Sequence, residues 1–260
     1  MLSLALAIVM QTRFVVPTAG LATAALASPR PRECRSNTGQ AGLWLRLRNA
    51  DAQRYCELLA HGYARLGEAP AEALSAAQAA QALAGPRPAV RLLLGRAQLR
   101  LGQSGLAFEQ FAQAEGADTQ AFVDPKALHD YARAASLSGK SADALRLYRL
   151  LASRVALFDD AREALFVQIE AAAHVLAYAA NGGDEALGYL TQAQRRPLGL
   201  SRWIDGLRLL AQRARPNGSK PSTLPSELPR GEDLPLIPAQ LFPSLRGEPS
   251  EFKQRVENLP

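Results

Sequence analysis

Residues 94–114, LGRAQLRLGQSGLAFEQFAQA, decide the fold. Leu94, Gly95, Gln98 and Leu101 fall on one face at the 3.6-residue period, and Gly102 follows as a stop signal. Ser104 is placed to cap a second helix, its hydroxyl accepting the free backbone N–H groups of the first turn. Ala107, Phe111 and Ala114 line that second helix. The unit recurs in residues 130–151, DYARAASLSGKSADALRLYRLL. There Gly139-Lys140-Ser141 stands for Gly102-Gln103-Ser104, and Ala144 and Tyr148 stand for Ala107 and Phe111. An apolar helix, a glycine turn and a second apolar helix, written twice, predict stacked α-hairpins.

On the N-terminal side, a helix is expected over residues 43–66, with Trp44, Leu47, Ala52, Tyr55, Leu59 and Tyr63 as packing positions and Gly67 ending it. Residues 71–83 form its partner, with the small residues Ala73, Ala77 and Ala80 letting the two approach closely. On the C-terminal side, Asp124-Pro125 reads as an N-cap followed by a proline at the first helical position. A longer leading helix is expected over 161–180, and Asn181-Gly182-Gly183 breaks it. Asp184 is placed to cap a partner helix carrying Ala186, Leu190 and Ala193. Residues 201–215 read as one amphipathic helix with Trp203, Ile204, Leu207 and Leu210 inward, suited to cover the end of a stack.

Composition agrees with an all-helical chain. The 260 residues are rich in alanine and leucine, aromatics are 6%, and no run alternates polar and apolar as strands would. The net charge is +6, with four Lys beside 26 Arg, but there is no Lys/Arg run, aromatic interleaving or nucleic-acid motif. That argues against a nucleic-acid partner. The arginine bias points to a GC-rich genome.

The spacing supplies a second reading. The turn residues Gly67, Gly102, Gly139 and Gly182 are 35, 37 and 43 apart, and Ala73, Ala107, Ala144 and Ala186 are 34, 37 and 42 apart. Over residues 43–215 the chain resembles the tetratricopeptide repeat (TPR) family, whose unit is a helix–turn–helix of about 34 residues. The residues that carry the likeness are Leu94-Gly95, Gly102, Ala107, Phe111 and Ala114 in the second unit. In the third they are Tyr131-Ala132, Ala135, Gly139, Ala144 and Tyr148, and in the first Leu59-Ala60, Tyr63 and Gly67. The resemblance implies a right-handed α-hairpin solenoid of three to four repeats with a C-terminal capping helix. It also implies a concave wall that holds protein or peptide.

Carried onto this sequence, the wall positions implied by the family are Arg54, Glu57, His61 and Arg65, then Leu92, Arg96 and Arg100, then Lys126, His129 and Arg133. That set is basic with one acid. It does not reproduce the Lys/Asn arrangement by which chaperone-binding members clamp a terminal carboxylate. An acidic or carboxylate-bearing segment is the expected occupant, because Arg forms bidentate bonds to carboxylates. Charge reversal at Arg96 and Arg133 is then expected to abolish capture without changing the melting temperature.

Residues 1–27 read as a secretory signal peptide, with Arg13, the apolar stretch 14–26 and the small-residue pattern Ala25-Leu26-Ala27. Met10 is a candidate true start. Arg13, Pro17 and Gly20 interrupt the apolar run too often for a membrane span. Such a chain is exported, periplasmic or secreted. Residues 28–42 form an irregular arm, and no lipobox precedes Cys34. In an oxidising compartment Cys34 and Cys56 are expected to pair, worth about 3 kcal/mol in the loop-entropy account. The other reading is a buried free Cys56 with Cys34 exposed.

Residues 216–260 are a proline-rich tail with apolar islands at 234–237 and 241–242 and a short terminal helix at 251–258. Its Glu227, Glu232 and Asp233, tethered near the wall, make the tail itself a competing occupant. Chemistry is not signalled elsewhere. His61, His129 and His174 lie far apart in sequence without metal-ligand spacing. Asp159-Asp160 and Asp184-Glu185 read as helix-start acids. Asn217-Gly218-Ser219 matches a glycosylation sequon. No catalytic residue, metal or cofactor is expected. Three functions follow: an exported protein-binding scaffold, a helical accessory component of a cell-envelope or outer-membrane assembly system, and, least supported, an enzyme with a solenoid body.

Overall fold

The computed structural model describes residues 31–34, 49–193, 200–215 and 235–241. The signal-peptide and start-site expectations, Trp44, Leu47, the sequon, the tail acids and the 251–258 helix lie outside the described residues. Among those described there are nine α-helices and no strand. They are α1 Asn49–Arg65, α2 Pro70–Ala84, α3 Pro88–Arg100, α4 Ser104–Ala117, α5 Pro125–Leu137, α6 Ser141–Ser153, α7 Ala161–Tyr178, α8 Gly183–Ala193 and α9 Ser201–Arg213. No helix among them is long and apolar enough to cross a membrane.

Proline and glycine set the boundaries. Pro70, Pro88 and Pro125 each occupy the first turn of a helix, where a missing N–H costs nothing. Gly85, Gly102 and Gly139 take positive φ at 76°, 75° and 74°, a region that penalises a Cβ. Asp124 and Asp160 cap as expected, accepting from Lys126 N at 3.0 Å and Arg162 N at 2.8 Å. The expected serine caps are corrected. Ser104 and Ser141 are the first helical residues, and the cap positions fall to Gln103 and Lys140, neither of which makes a side-chain cap bond. The left-handed glycine uses one fewer residue than the sequence reading allowed, which draws each serine into the helix. Asp184 likewise stands inside the first turn of α8 and pairs with Arg215 at 2.7 Å.

Each helix packs on the next, from α1·α2 through α8·α9, and contacts also join α1 to α3, α3 to α5 and α7 to α9. This is the contact order of a helical solenoid. Alanines make the close approaches: Ala73, Ala77, Ala80, Ala107, Ala114, Ala144, Ala186 and Ala193 are all buried. Gly95 is buried for the same reason, since a Cβ there would lie 2.7 Å from Phe111 Cε1. Leu101, expected on that packed face, is 37% exposed at the helix end.

The apolar interior falls into three clusters. One joins α1, α2 and α3, a second runs from α4 to α7 around Phe111, Phe122 and Tyr131, and a third joins α7, α8 and α9. Helix α7 serves both later clusters and is buried on nearly every side, as a helix apolar all round must be. Trp203, Ile204, Leu207 and Leu210 of α9 are buried as expected. Cys34 and Cys56 are bridged, with Cα atoms 5.7 Å apart. The bridge sits beside a second tie, because Glu33 accepts from Tyr55 Oη at 2.5 Å and from Arg87 Nε at 2.8 Å.

Candidate functional site

Leading helices α5 and α7 bring the polar groups together. On α5 the 3–4 spacing puts Lys126, His129 and Arg133 in one stripe; on α7 it aligns Glu163, Phe166, Glu170 and Ala177. Glu170 is the centre. It is fully buried and saturated with donors: His129 Nε2 at 2.6 Å and Tyr148 Oη at 2.9 Å on Oε2, and the backbone N of Leu236 at 2.7 Å on Oε1. Arg133 stands 3.6 Å from the same Oε1.

Burial pushes the Glu170 carboxyl up, but His129, Arg133 and the Leu236 N–H outweigh it and hold the group at about 2. Glu170 is therefore a charged acceptor, so His129 Nε2 carries the proton between them. Tyr148, buried beside that charge, is pushed well above its ordinary value by its burial and by Glu170.

One turn further along α7, His174 is buried and lowered to about 4 by that burial, against a smaller upward pull from the Glu170 backbone carbonyl. Its Nδ1 faces that carbonyl at 2.7 Å, which fixes the proton there, and leaves Nε2 to accept from Ser136 Oγ at 2.8 Å. The Tyr148 and His174 rings lie 4.1 Å apart, and His129 meets Tyr148 at 6.4 Å. Two histidines far apart in sequence thus flank one tyrosine.

The tail reaches this centre. Residues 235–241 lie along α7 in the same direction as the helix, from the Leu236 N–H on Glu170 to Gln240 Nε2, which donates to Ala177 O at 2.9 Å. Ala177 belongs to the last helical turn, whose carbonyls lack helical partners, so Gln240 satisfies an orphan. Ile237 and Leu241 are buried in the α7–α9 cluster. Burying these two side chains gains about 3–6 kcal/mol. The two hydrogen bonds, one to a charged group, add about 2–4 kcal/mol. Fixing the five non-proline residues of the segment costs about 5–10 kcal/mol. The gains and the cost are of similar size.

Beyond Glu170, toward the start of α7, a groove of about 390 Å3 opens between α3, α5 and α7, with Leu99, Arg100, Arg133, Leu137 and Phe166 in its lining. The structure disperses the wall residues named from sequence. Arg54 and Glu57 pair with each other at 3.6 Å, and His61 is exposed beside them. Arg65 turns to Glu72 at 2.9 Å and Glu68 at 3.2 Å on its own hairpin. Leu92 packs against the middle cluster. Arg96 bonds Asp130 at 2.6 Å, Arg100 stands 3.6 Å from the same carboxylate, and Lys126 meets Glu163 at 3.3 Å. Only Arg100, His129 and Arg133 line the groove. The wall is not basic with one acid: Asp130, Glu163 and Glu170 from the following helices answer the cations.

Sequence reading missed Glu170. The signal was present, because it is the one charge in the apolar stretch 167–177, VQIEAAAHVLA, and a carboxylate there is buried only if paired. Among the described residues no group of three or more His, Cys, Asp and Glu could hold a metal ion. No family model matches the chain, and no curated protein or solved structure matches it either.

Proposed function

We propose that this chain is an exported, TPR-like repeat scaffold that binds an extended protein segment on the wall of its leading helices. The observation that carries the reading is the seating of residues 235–241 on α7. A segment of the chain already lies there, irregular over 235–238 and closed by a 3-10 turn at Ala239–Leu241, held by a backbone N–H on a buried carboxylate and by two apolar side chains. The repeated hairpins, the positive-φ Gly102 and Gly139 at equivalent turns and the Gly95–Phe111 contact support the repeat class. Helix α9, packed on α8 and α7, suits the capping role. The Cys34–Cys56 bridge supports an oxidising compartment, where such bonds persist. A role as the accessory component of a cell-envelope assembly is a specialised form of the same reading.

The test is site-specific photo-crosslinking in the producing cells. A photoreactive residue in place of Phe166, in the groove, is expected to give a discrete protein adduct. The same residue in place of Leu106, half-exposed on α4, is expected to give none. Adducts only from Leu106, or from neither, would overturn the reading.

A further inference from the structure

The α7 stripe is longer than the segment that covers it. Residues 236–240 span the stripe from Glu170 to Ala177, while Glu163 and Phe166 face the open groove. From Glu170 back to Glu163 the helix rises about 10 Å, which about three extended residues would match. A ligand seated like residues 235–241 and continuing as an extended chain toward its own N-terminus therefore enters the groove. Arg162 stands there, 5.4 Å from the Phe166 ring, and Arg133 lines the same groove while reaching Glu170 at 3.6 Å. The groove's acids are engaged: Asp130 by Arg96, Glu163 by Lys126, and Asp160 by the start of α7. This chain's own sequence before Pro235 reads Gly231-Glu232-Asp233-Leu234.

We propose that the seat on α7 recognises a partner segment in which acidic residues precede two apolar side chains spaced as Ile237 and Leu241 are, and that residues 235–241 occupy it as a resident ligand the partner displaces. The inference rests on the scaffold reading above and adds the ligand chemistry and the regulation. Glu170 supplies the sequence-independent part by accepting a backbone N–H. The α7–α9 crevice selects apolar side chains at the positions of Ile237 and Leu241, and the guanidiniums select acids upstream. A partner competes with a segment whose docking gains and costs are of similar size, and the tether sets how much partner is needed.

The probe is a fluorescent synthetic peptide with the sequence of residues 231–242, followed by anisotropy against the full chain. Substitution Ile237→Asp with Leu241→Asp in the protein unseats its own segment, with thermal melts by circular dichroism checking the fold. The peptide is expected to bind that variant about tenfold more tightly than the unaltered chain, since the resident no longer competes. If the double variant fails to fold, Ile237→Ala with Gln240→Ala serves. On the ligand side, an N-methyl group at the Leu236 position of the peptide removes the donor to Glu170 and is expected to weaken binding about tenfold. Lys in place of both acids is expected to weaken it too.

No binding to a folded unseated variant, equal affinity for both proteins, or indifference to N-methylation would overturn the proposal. So would a concentration-dependent dimer that vanishes in the unseated variant, which would make the resident segment another copy's. An adduct from Phe166 together with any of these outcomes leaves the scaffold reading standing and removes only this site.

Discussion

Glu170 and His174 hold their unusual states for opposite reasons, and both make the fold acid-sensitive. His174 is kept neutral by burial at about 4, below its ordinary 6.5. The unfolded chain therefore takes up the proton first as pH falls. The stability His174 contributes is complete above pH 6.5 and is lost progressively toward pH 4, on the order of 3 kcal/mol in all. Glu170, at about 2 against an ordinary 4.5, loses its contribution between those two values. The melting temperature is expected to fall steadily from pH 7 to pH 4 and more steeply below. His174→Gln should lower stability at pH 7 yet flatten the slope between pH 6.5 and pH 4, as read from melts across that range. The pairing of Arg96 leads to a different expectation for charge reversal than the sequence alone. With Asp130 at 2.6 Å and both side chains mostly buried, Arg96→Glu sets two carboxylates against each other. A loss of about 3–5 kcal/mol is expected by denaturant titration, with Asp130→Arg restoring part of it in the double variant. Arg133→Glu, beside the already saturated Glu170, destabilises too, so capture and stability cannot be separated at these residues by reversal.

At the scale of elements, the helices were largely legible and their partners were not. Proline at a first turn and glycine at a left-handed turn are local instructions, and they place α2, α3, α5 and α6 within a residue or two of their observed bounds. The alanine–large–alanine spacing likewise names the buried side of α4, α6 and α8 without knowledge of what covers it. The site needed more. Glu170 takes its donors from α5, from α6 and from a segment 66 residues downstream, and no local pattern encodes that meeting. The wall's apparent surplus of cations came from reading one helix at a time, while Asp130 and Glu163 answer from the next. Two glycines separate the local from the tertiary requirement. Gly188, inside α8, has nothing within 4 Å of a Cβ, so Gly188→Ala is expected to stabilise by about 0.5–1 kcal/mol through helix propensity alone. Gly95→Ala drives a methyl into the Phe111 ring and should cost about 1–3 kcal/mol despite the same gain in propensity. Chemical denaturation of both variants would show opposite shifts in midpoint if α3 and α4 are clamped as a repeat hairpin.

At the scale of the molecule, the decisive property is that, among the described residues, each hairpin packs mainly on its neighbours. In such a stack stability is a sum of unit terms and nearest-neighbour interfaces, so a local insult stays local. The Cys34–Cys56 bridge offers a clean insult. It joins the segment 31–34 to α1, and with Glu33 bonded to Tyr55 and Arg87 it ties the ends of the first hairpin together. Reduction removes a constraint worth about 2–4 kcal/mol and also loosens the Glu33 bonds, whose position depends on Cys34. The first cluster, α1 to α3, should then open more often, and its amides should exchange with deuterium faster by a factor of about ten or more. The α7–α9 cluster shares no buried residue with the first and lies beyond the aromatic cluster around Phe111, Phe122 and Tyr131. Its exchange rates should be unmoved, and α4 and α5 should show an intermediate, graded change. Hydrogen exchange with mass spectrometry on oxidised and reduced protein reads all three regions in one experiment. A uniform acceleration from α1 to α9 would mean that the chain unfolds as one cooperative body. The translational stacking behind the open wall would then have no energetic counterpart.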